Sequence, residues 1–306
     1  MSASAAEQGR AARESVLVVA APERAAITVT GKDRSSWLNG LVTCDLAKLG
    51  PEQAAYGLLV EKKGKIQADL LVVPARGEPG TLALGVPAEL RDSLLTTLDH
   101  YLIMEDAELA AADLAFWAVH GPKASELLGL APFSGKLDLL GTGGAVLAAP
   151  ASERAAVETR LRGEVERLGG AIGDEAGWEA VRIEHGLPRF GLEVDTTLYP
   201  QEASLEKLAV SFDKGCYLGQ EVVYMLEHRG HVKRKLVPLE LDADAPLAAG
   251  AEITTPDGAA VGEVRSWAIG ASGRPVAIGM VKWAQAKAGT ELRAGGVPGR
   301  VRLAAS

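Results

Sequence analysis

Residues 25–30, Ala-Ala-Ile-Thr-Val-Thr, read as a strand from their β-branched content. Gly31 breaks the run, and Asp33 stands where a helix cap belongs, ahead of Trp37, Leu38, Leu41 and Val42 on one helical face. Two apolar runs, 54–60 and 66–73, flank Lys62-Lys63-Gly64-Lys65 and predict a hairpin. A strand follows over 81–86. Pro87 then starts a helix whose Leu90, Leu94, Leu98 and Tyr101 share a side. A strand near 105–111 closes the unit.

The middle of the chain repeats this logic. Residues 114–119 read as a strand, His120-Gly121-Pro122 as a turn and 122–128 as a short helix. The Gly-rich stretch beyond it has no clear period. Helices are predicted over 152–168 and 174–185, the second carrying Trp178, Val181 and Ile183 among polar positions. After Gly230 the texture changes to short β-like runs over 231–241, 251–255, 260–269, 275–283 and 291–303. Strands at such even spacing without helices predict a small barrel or sandwich.

The fold expected is therefore α+β: two split β-α-β (ferredoxin-like) domains and a small C-terminal β-barrel. The division expected is an N-terminal extension with the first strand over 1–24, two units over 25–112 and 113–231, and the barrel over 232–306.

Composition narrows the function. Of 306 residues, 47% are hydrophobic, which disfavours a disordered chain. With 32 basic and 40 acidic side chains the net charge is −8, which argues against coating duplex nucleic acid but leaves a local basic groove open. Two cysteines, Cys44 and Cys216, are too few for a disulfide scaffold or a self-contained four-cysteine metal site. A single bond between them is open, although a reducing compartment fits better. The opening residues lack a basic stretch leading into an apolar core, and no run of about 18 apolar residues occurs. A cytoplasmic protein without a membrane span is expected.

The stretch Lys214-Gly215-Cys216-Tyr217-Leu218-Gly219-Gln220-Glu221 carries the candidate chemistry. Gly215 and Gly219 permit backbone geometries that other residues resist. A helix is predicted to start close to Gly219, which sets Cys216 near its positive end with Lys214 two residues away. Both features favour a thiolate. A small buried cysteine in a tight turn has the same pattern. Cys216, His228 and His231 could be imagined around a metal ion, but a closed zinc site needs four ligands and no second cysteine is near, so no metal is expected. Gly141-Thr142-Gly143-Gly144 lacks the ending of a phosphate loop and reads as a turn.

That eight-residue stretch resembles the K-G-C-Y-x-G-Q-E signature of the YgfZ-type folate-binding proteins, themselves similar to the T protein of the glycine cleavage system, an aminomethyltransferase. Thr43-Cys44-Asp45-Leu46, Gly64-Lys65-Ile66-Gln67-Ala68-Asp69, Arg182-Ile183-Glu184-His185-Gly186-Leu187-Pro188 and Tyr199-Pro200-Gln201-Glu202 resemble further parts of the family, covering most of 25–235. The resemblance implies a ring-like arrangement of three domains around a folate channel. It also implies tetrahydrofolate or a one-carbon derivative as ligand, and a role in assembly or repair of iron–sulfur proteins and, through them, in tRNA modification. Partners would then be folate and iron–sulfur assembly or client proteins, with no direct duplex nucleic acid and no membrane.

Site residues follow from the same resemblance. Cys216 is the functional thiol and Lys214 lowers its pKa. Glu184 matches the position expected to accept the pterin's paired N–H donors. Folate sits near Asp69, Glu184 and Tyr101, with Gln220 and Glu221 ordering the helix start. Arg229, with Lys233, Arg234 and Lys235, offers cations for the glutamyl tail; the same charges on an edge strand also resist aggregation. In the aminomethyltransferases the hairpin carries two adjacent aspartates, and here the pair is Ala68-Asp69. Losing one carboxylate weakens the case for acid–base catalysis. A folate-dependent aminomethyl transferase and a non-catalytic adaptor in iron–sulfur cluster assembly remain the alternatives.

Overall fold

Two five-stranded sheets meet face to face, and a closed six-stranded barrel packs against them in this computed structural model, which describes residues 3–77 and 80–303. The chain begins with α1 (Ala5–Glu14), started by a capping box in which the side chains of Ser4 and Glu7 exchange hydrogen bonds with each other's backbone N–H. The next strand, β1 (Leu17–Ala20), does not pair with the strand after it in sequence and belongs to the second sheet.

The first sheet contains β2 (Arg24–Thr30), β3 (Ala55–Val60), β4 (Ile66–Pro74), β5 (Leu82–Pro87) and β6 (Glu108–Ala112), in the order β3-β4-β5-β2-β6 with every neighbouring pair antiparallel. Helices α2 (Arg34–Asn39) and α3 (Arg91–Asp99) cover one face. The period of two decides who meets whom. Ile27, Val29, Leu70 and Val72 pack with Trp37, Leu38, Leu94 and Leu98 under the helices. Ala26, Leu71, Val73 and Ala83 face the other way.

The second sheet contains β7 (Leu114–His120), β8 (Phe133–Lys136) and β9 (Gly144–Pro150), and after α4 (Arg154–Leu168) the short β10 (Ala171–Ile172). Its order is β10-β1-β7-β9-β8, with β1 parallel to β10 and antiparallel to β7. Trp117, Val119 and Leu147 meet α4 through Val157, Leu161 and Val165, whereas Phe116, Val146 and Ala148 face the first sheet. The result is four layers: helix, sheet, sheet, helix. Gly85 lets the sheets close, because a Cβ there would lie 2.9 Å from the Phe116 ring.

The stretch without a readable period contains β8 and β9. β9 is buried on both faces over Ala145–Ala149, so no polar alternation marks it.

Helix α5 (Glu175–His185) is capped by the Asp174 side chain and ends at left-handed Gly186. It packs against α1 and the barrel. Two shorter helices follow, α6 (Glu206–Ala209) and α7 (Gln220–His228). The barrel strands are β11 (Arg234–Leu241), β12 (Glu252–Thr254), β13 (Ala260–Ile269), β14 (Pro275–Lys282), β15 (Glu291–Ala294) and β16 (Val297–Val301), closing in the order β11-β14-β13-β12-β15-β16. Among the described residues no helix is long and apolar enough to cross a membrane.

Candidate functional site

Strand alternation turns Asp69 of β4 into the space between the sheets, where it is 2% exposed. Such a carboxylate survives burial only with partners. Arg24 supplies a two-pronged contact, Nη1 to Oδ1 at 2.8 Å and Nη2 to Oδ2 at 2.7 Å. Tyr56 adds its hydroxyl to Oδ2 at 2.9 Å. Leu58 opposes Asp69 across β3–β4, so Tyr56 lies one diagonal step away on the same face. Burial works against the Arg24 charge, but the Asp69 carboxylate outweighs it and holds the guanidinium protonated. Burial and the Asp69 charge raise the Tyr56 phenol well above its ordinary value, keeping it a donor.

This trio borders a recess of about 70 Å³, walled on the far side by Trp178, Arg182 and Arg189. Arg182 is 1% exposed and satisfied by Glu179, by Glu193 at 3.0 Å and by the Leu187 carbonyl at 3.2 Å. Glu193 also accepts from Ser266 of the barrel, so the network pins the recess wall to that domain. Leu139, Leu187 and Pro188 border both the recess and a larger chamber of about 490 Å³. Between α5, α6 and β11, that chamber has the size of a ligand site.

Glu184 does not join this cavity. Trp178 and Arg182 lie four residues apart on the face of α5 that lines the recess, and two residues further the helix has turned about 200°. Glu184 instead accepts the Ser272 N–H at 3.1 Å, clasping the β13–β14 turn.

The signature loop lies elsewhere on the molecule. Lys214 is 8% exposed and its ammonium donates to three carbonyls, those of Asn39 (2.6 Å), Val42 (2.8 Å) and Cys44 (2.6 Å), at and just past the end of α2. Burial lowers Lys214 to about 8. Its ammonium therefore ties the loop to the Thr43-Cys44 turn, and no hydrogen bond joins it to Cys216. Thr43 completes that anchor, its hydroxyl donating to the Ala209 carbonyl at 2.6 Å and accepting the Leu58 N–H at 2.8 Å. α7 starts at Gln220, after left-handed Gly219, and the Gln220 Oε1 accepts the Tyr217 N–H at 3.3 Å. Cys216 is a free, exposed thiol, whereas Cys44 is buried, which pushes its thiol up to about 11. Cys216 borders neither the recess nor the chamber.

Residues 1–137 match the model of the GCVT N-terminal domain, and 234–305 that of the glycine cleavage T-protein C-terminal barrel domain. The tRNA-modifying protein YgfZ of Yersinia pseudotuberculosis is 30% identical over 241 residues, 75% of this chain and 72% of its own. This chain belongs to the YgfZ family. The namesake from Sodalis glossinidius is 29% identical over 256 residues, covering 75% of this chain and 73% of the relative. In fold, the chain resembles the glycine cleavage system aminomethyltransferase T from Bartonella henselae, with a TM-score of 0.80 at 21% identity over 98% of this chain and 88% of that one.

Within this YgfZ-family chain the remaining sequence-derived residues scatter. Tyr101 packs beside α2 and α3, its carbonyl accepting the Trp37 Nε1–H at 3.1 Å, and does not border the recess. Glu221 and Arg229 are exposed at the two ends of α7. The basic cluster is partly neutralised: Arg234 pairs with Glu202 at 3.4 Å and Lys235 with Glu206. His231 stacks on Trp283, and His228 packs against Tyr224. Among the described residues no group of three or more side chains is placed to hold a metal ion. Sequence reasoning missed Arg24 and Tyr56. An aspartate inside the apolar run 66–73 was the available signal that a buried cation had to meet it.

Proposed function

We propose that the protein binds tetrahydrofolate or a one-carbon derivative in the chamber between α5, α6 and β11 and supports assembly or repair of iron–sulfur proteins, and through them tRNA modification. The observation that carries the reading is the chamber of about 490 Å³ between α5, α6 and β11, which shares Leu139, Leu187 and Pro188 with the Arg24–Asp69–Tyr56 recess. Membership of the YgfZ family supports it. Bound folate would bring its one-carbon group and its ring nitrogens; the chain would supply apolar walls, charged anchors and exclusion of water.

Binding is favoured over aminomethyl transfer. A proton-transferring carboxylate must be free to reach the reacting nitrogen. Asp69 is held at both oxygens by Arg24 and Tyr56, and Ala68 occupies the place of the second aspartate. In this reading Cys216 is the functional thiol, presented to solvent by a loop that Lys214 and Gln220 hold in place. A docking role without a ligand is the second reading. Its support is the exposure of Tyr224 (42%) and Met225 (49%) on α7, the helix that follows the Cys216 loop.

Anaerobic calorimetry with tetrahydrofolate at neutral pH tests the first reading, with micromolar binding expected. No heat at several temperatures, with unchanged tryptophan fluorescence, refutes it. Expression in a bacterial strain lacking its own YgfZ tests the thiol. Wild type should restore tRNA thiolation and Cys216→Ala should not; full rescue by Cys216→Ala removes the thiol from the function.

A further inference from the structure

Cys216 rides on a stretch, 212–216, that forms no backbone hydrogen bond among the described residues. The chain is pinned on either side of it, where the Ser211 N–H donates to the Thr43 carbonyl (2.9 Å) and the Leu218 N–H to the Gly40 carbonyl (3.1 Å). Between those points the hydrogen bonds of the stretch are the three from the Lys214 ammonium, to Asn39, Val42 and Cys44. Phe212 adds a ring contact with His228 at 5.5 Å. Gly215 and Cys216 are exposed, and a Cβ on Gly215 would meet nothing within 4 Å. One charged group holds the stretch that carries the thiol.

The three carbonyls have the chemistry of a cation site. Asn39 ends α2, and the Thr43 N–H four residues on donates to the Leu58 carbonyl at 3.0 Å, which leaves the Asn39 carbonyl without its helical donor. A lysine ammonium has three donors and no acceptor, and here every donor is used. No carboxylate balances the charge. Lys214 makes no ion pair among the described residues, and Asp45, whose charge reaches it through space, pairs with Lys48 at 3.2 Å. The other titratable groups facing it are the buried Cys44 thiol and Tyr217, whose ring centre lies 5.3 Å from the ammonium. Carbonyl dipoles and a π face are what hold a free monovalent cation. At pH 7, below the value of about 8 that burial gives Lys214, the side chain carries that charge.

We infer that Lys214 is the positioning residue for Cys216, a cation tethered in a carbonyl cage that fixes the thiol-bearing stretch on the turn after α2. It acts on the thiol through the backbone. The inference rests on the reading of Cys216 as the functional thiol, and the cage itself is open to direct measurement.

A nitroxide attached to Cys216 reports the order of the stretch by electron paramagnetic resonance at pH 7, the buried Cys44 being spared. Wild type should give a motionally restricted spectrum. Lys214→Met keeps most of the bulk without the charge and should lose the restricted component, whereas Gly215→Ala should match wild type. Lys214→Ala removes the alkyl stem and the ammonium, which n-propylammonium ion replaces. Adding that ion should restore the restricted component. Adding 1-propanol, of similar shape without the charge, should not.

A wild-type spectrum in Lys214→Met overturns the inference. Restoration no better with the ion than with 1-propanol does the same, because the site would then be a cavity that any filler suits. If neither variant folds, wild type decides alone. Trypsin must draw the lysine side chain into its own pocket, so the native protein should be cut after Lys214 at least about tenfold more slowly than after exposed Arg229. Comparable rates would mean that the ammonium leaves its cage freely, and would defeat the assignment. Full restoration of tRNA thiolation by Cys216→Ala defeats the thiol reading and with it the positioning role, while the spectra still report the cage.

Discussion

Arg24 meets both oxygens of Asp69 at 2.8 and 2.7 Å across a space that water barely reaches. Breaking one side of such a pair leaves an uncompensated buried charge, worth about 3–5 kcal/mol. Arg24→Met should destabilise the protein by that amount in urea unfolding. The double variant Arg24→Met/Asp69→Leu should recover most of the loss. A single variant within about 0.5 kcal/mol of wild type would show that solvent, and not Arg24, satisfies Asp69.

The two glycines of the signature loop should answer mutation differently. Gly219 has φ +77°, and a Cβ there would sit 2.4 Å from the Glu61 carbonyl oxygen. Gly215 has nothing within 4 Å of that position. Gly219→Ala is expected to cost about 1–3 kcal/mol, and Gly215→Ala to stay within about 0.5 kcal/mol of wild type. Equal effects in thermal melts would contradict the contact between the loop and the β3–β4 hairpin.

The two thiols should separate by access. Iodoacetamide at pH 7.5 is expected to alkylate Cys216 and spare Cys44, whose thiol burial pushes up to about 11. Mass spectrometry should find one modification in the native protein and two after denaturation. Comparable labelling of Cys44 under native conditions would mean that the Thr43-Cys44 turn opens readily.

His120 should make the protein acid-sensitive. It is 1% exposed, stacks on Trp178 at 4.6 Å, and neither ring nitrogen has a partner. Burial foremost, and then the His185 charge, lower it to about 3, while the Asp138 carboxylate opposes them. Between about pH 3 and the unfolded value near 6.5, the unfolded chain binds the proton that the folded chain refuses. Stability therefore falls as pH drops through that window, by about 2–3 kcal/mol at pH 4.5 relative to pH 7.5. Denaturant titrations at the two pH values should show this loss, and His120→Phe should flatten it. A loss unchanged in His120→Phe would assign the acid sensitivity to other groups.

Much was legible along the chain because local chemistry dictates it. The Lys62-Lys63-Gly64-Lys65 turn, the helix over 174–185, the start of α7 after Gly219 and the even run of barrel strands follow from turn residues and period. What the sequence could not determine was which distant groups share a space. Strand β1 enters the second sheet between β10 and β7, past its own neighbour β2, and only the pairing of edges across that sheet decides it. Lys214 stands two residues from Cys216 in sequence, yet its ammonium serves carbonyls 170 to 175 residues away. Glu184 and Arg182 are neighbours on one helix, but its rotation sends one to the barrel and the other to the recess. Spacing fixes residue types and local geometry. Burial, which makes a charge seek its partner wherever the fold brings one, belongs to the tertiary structure alone.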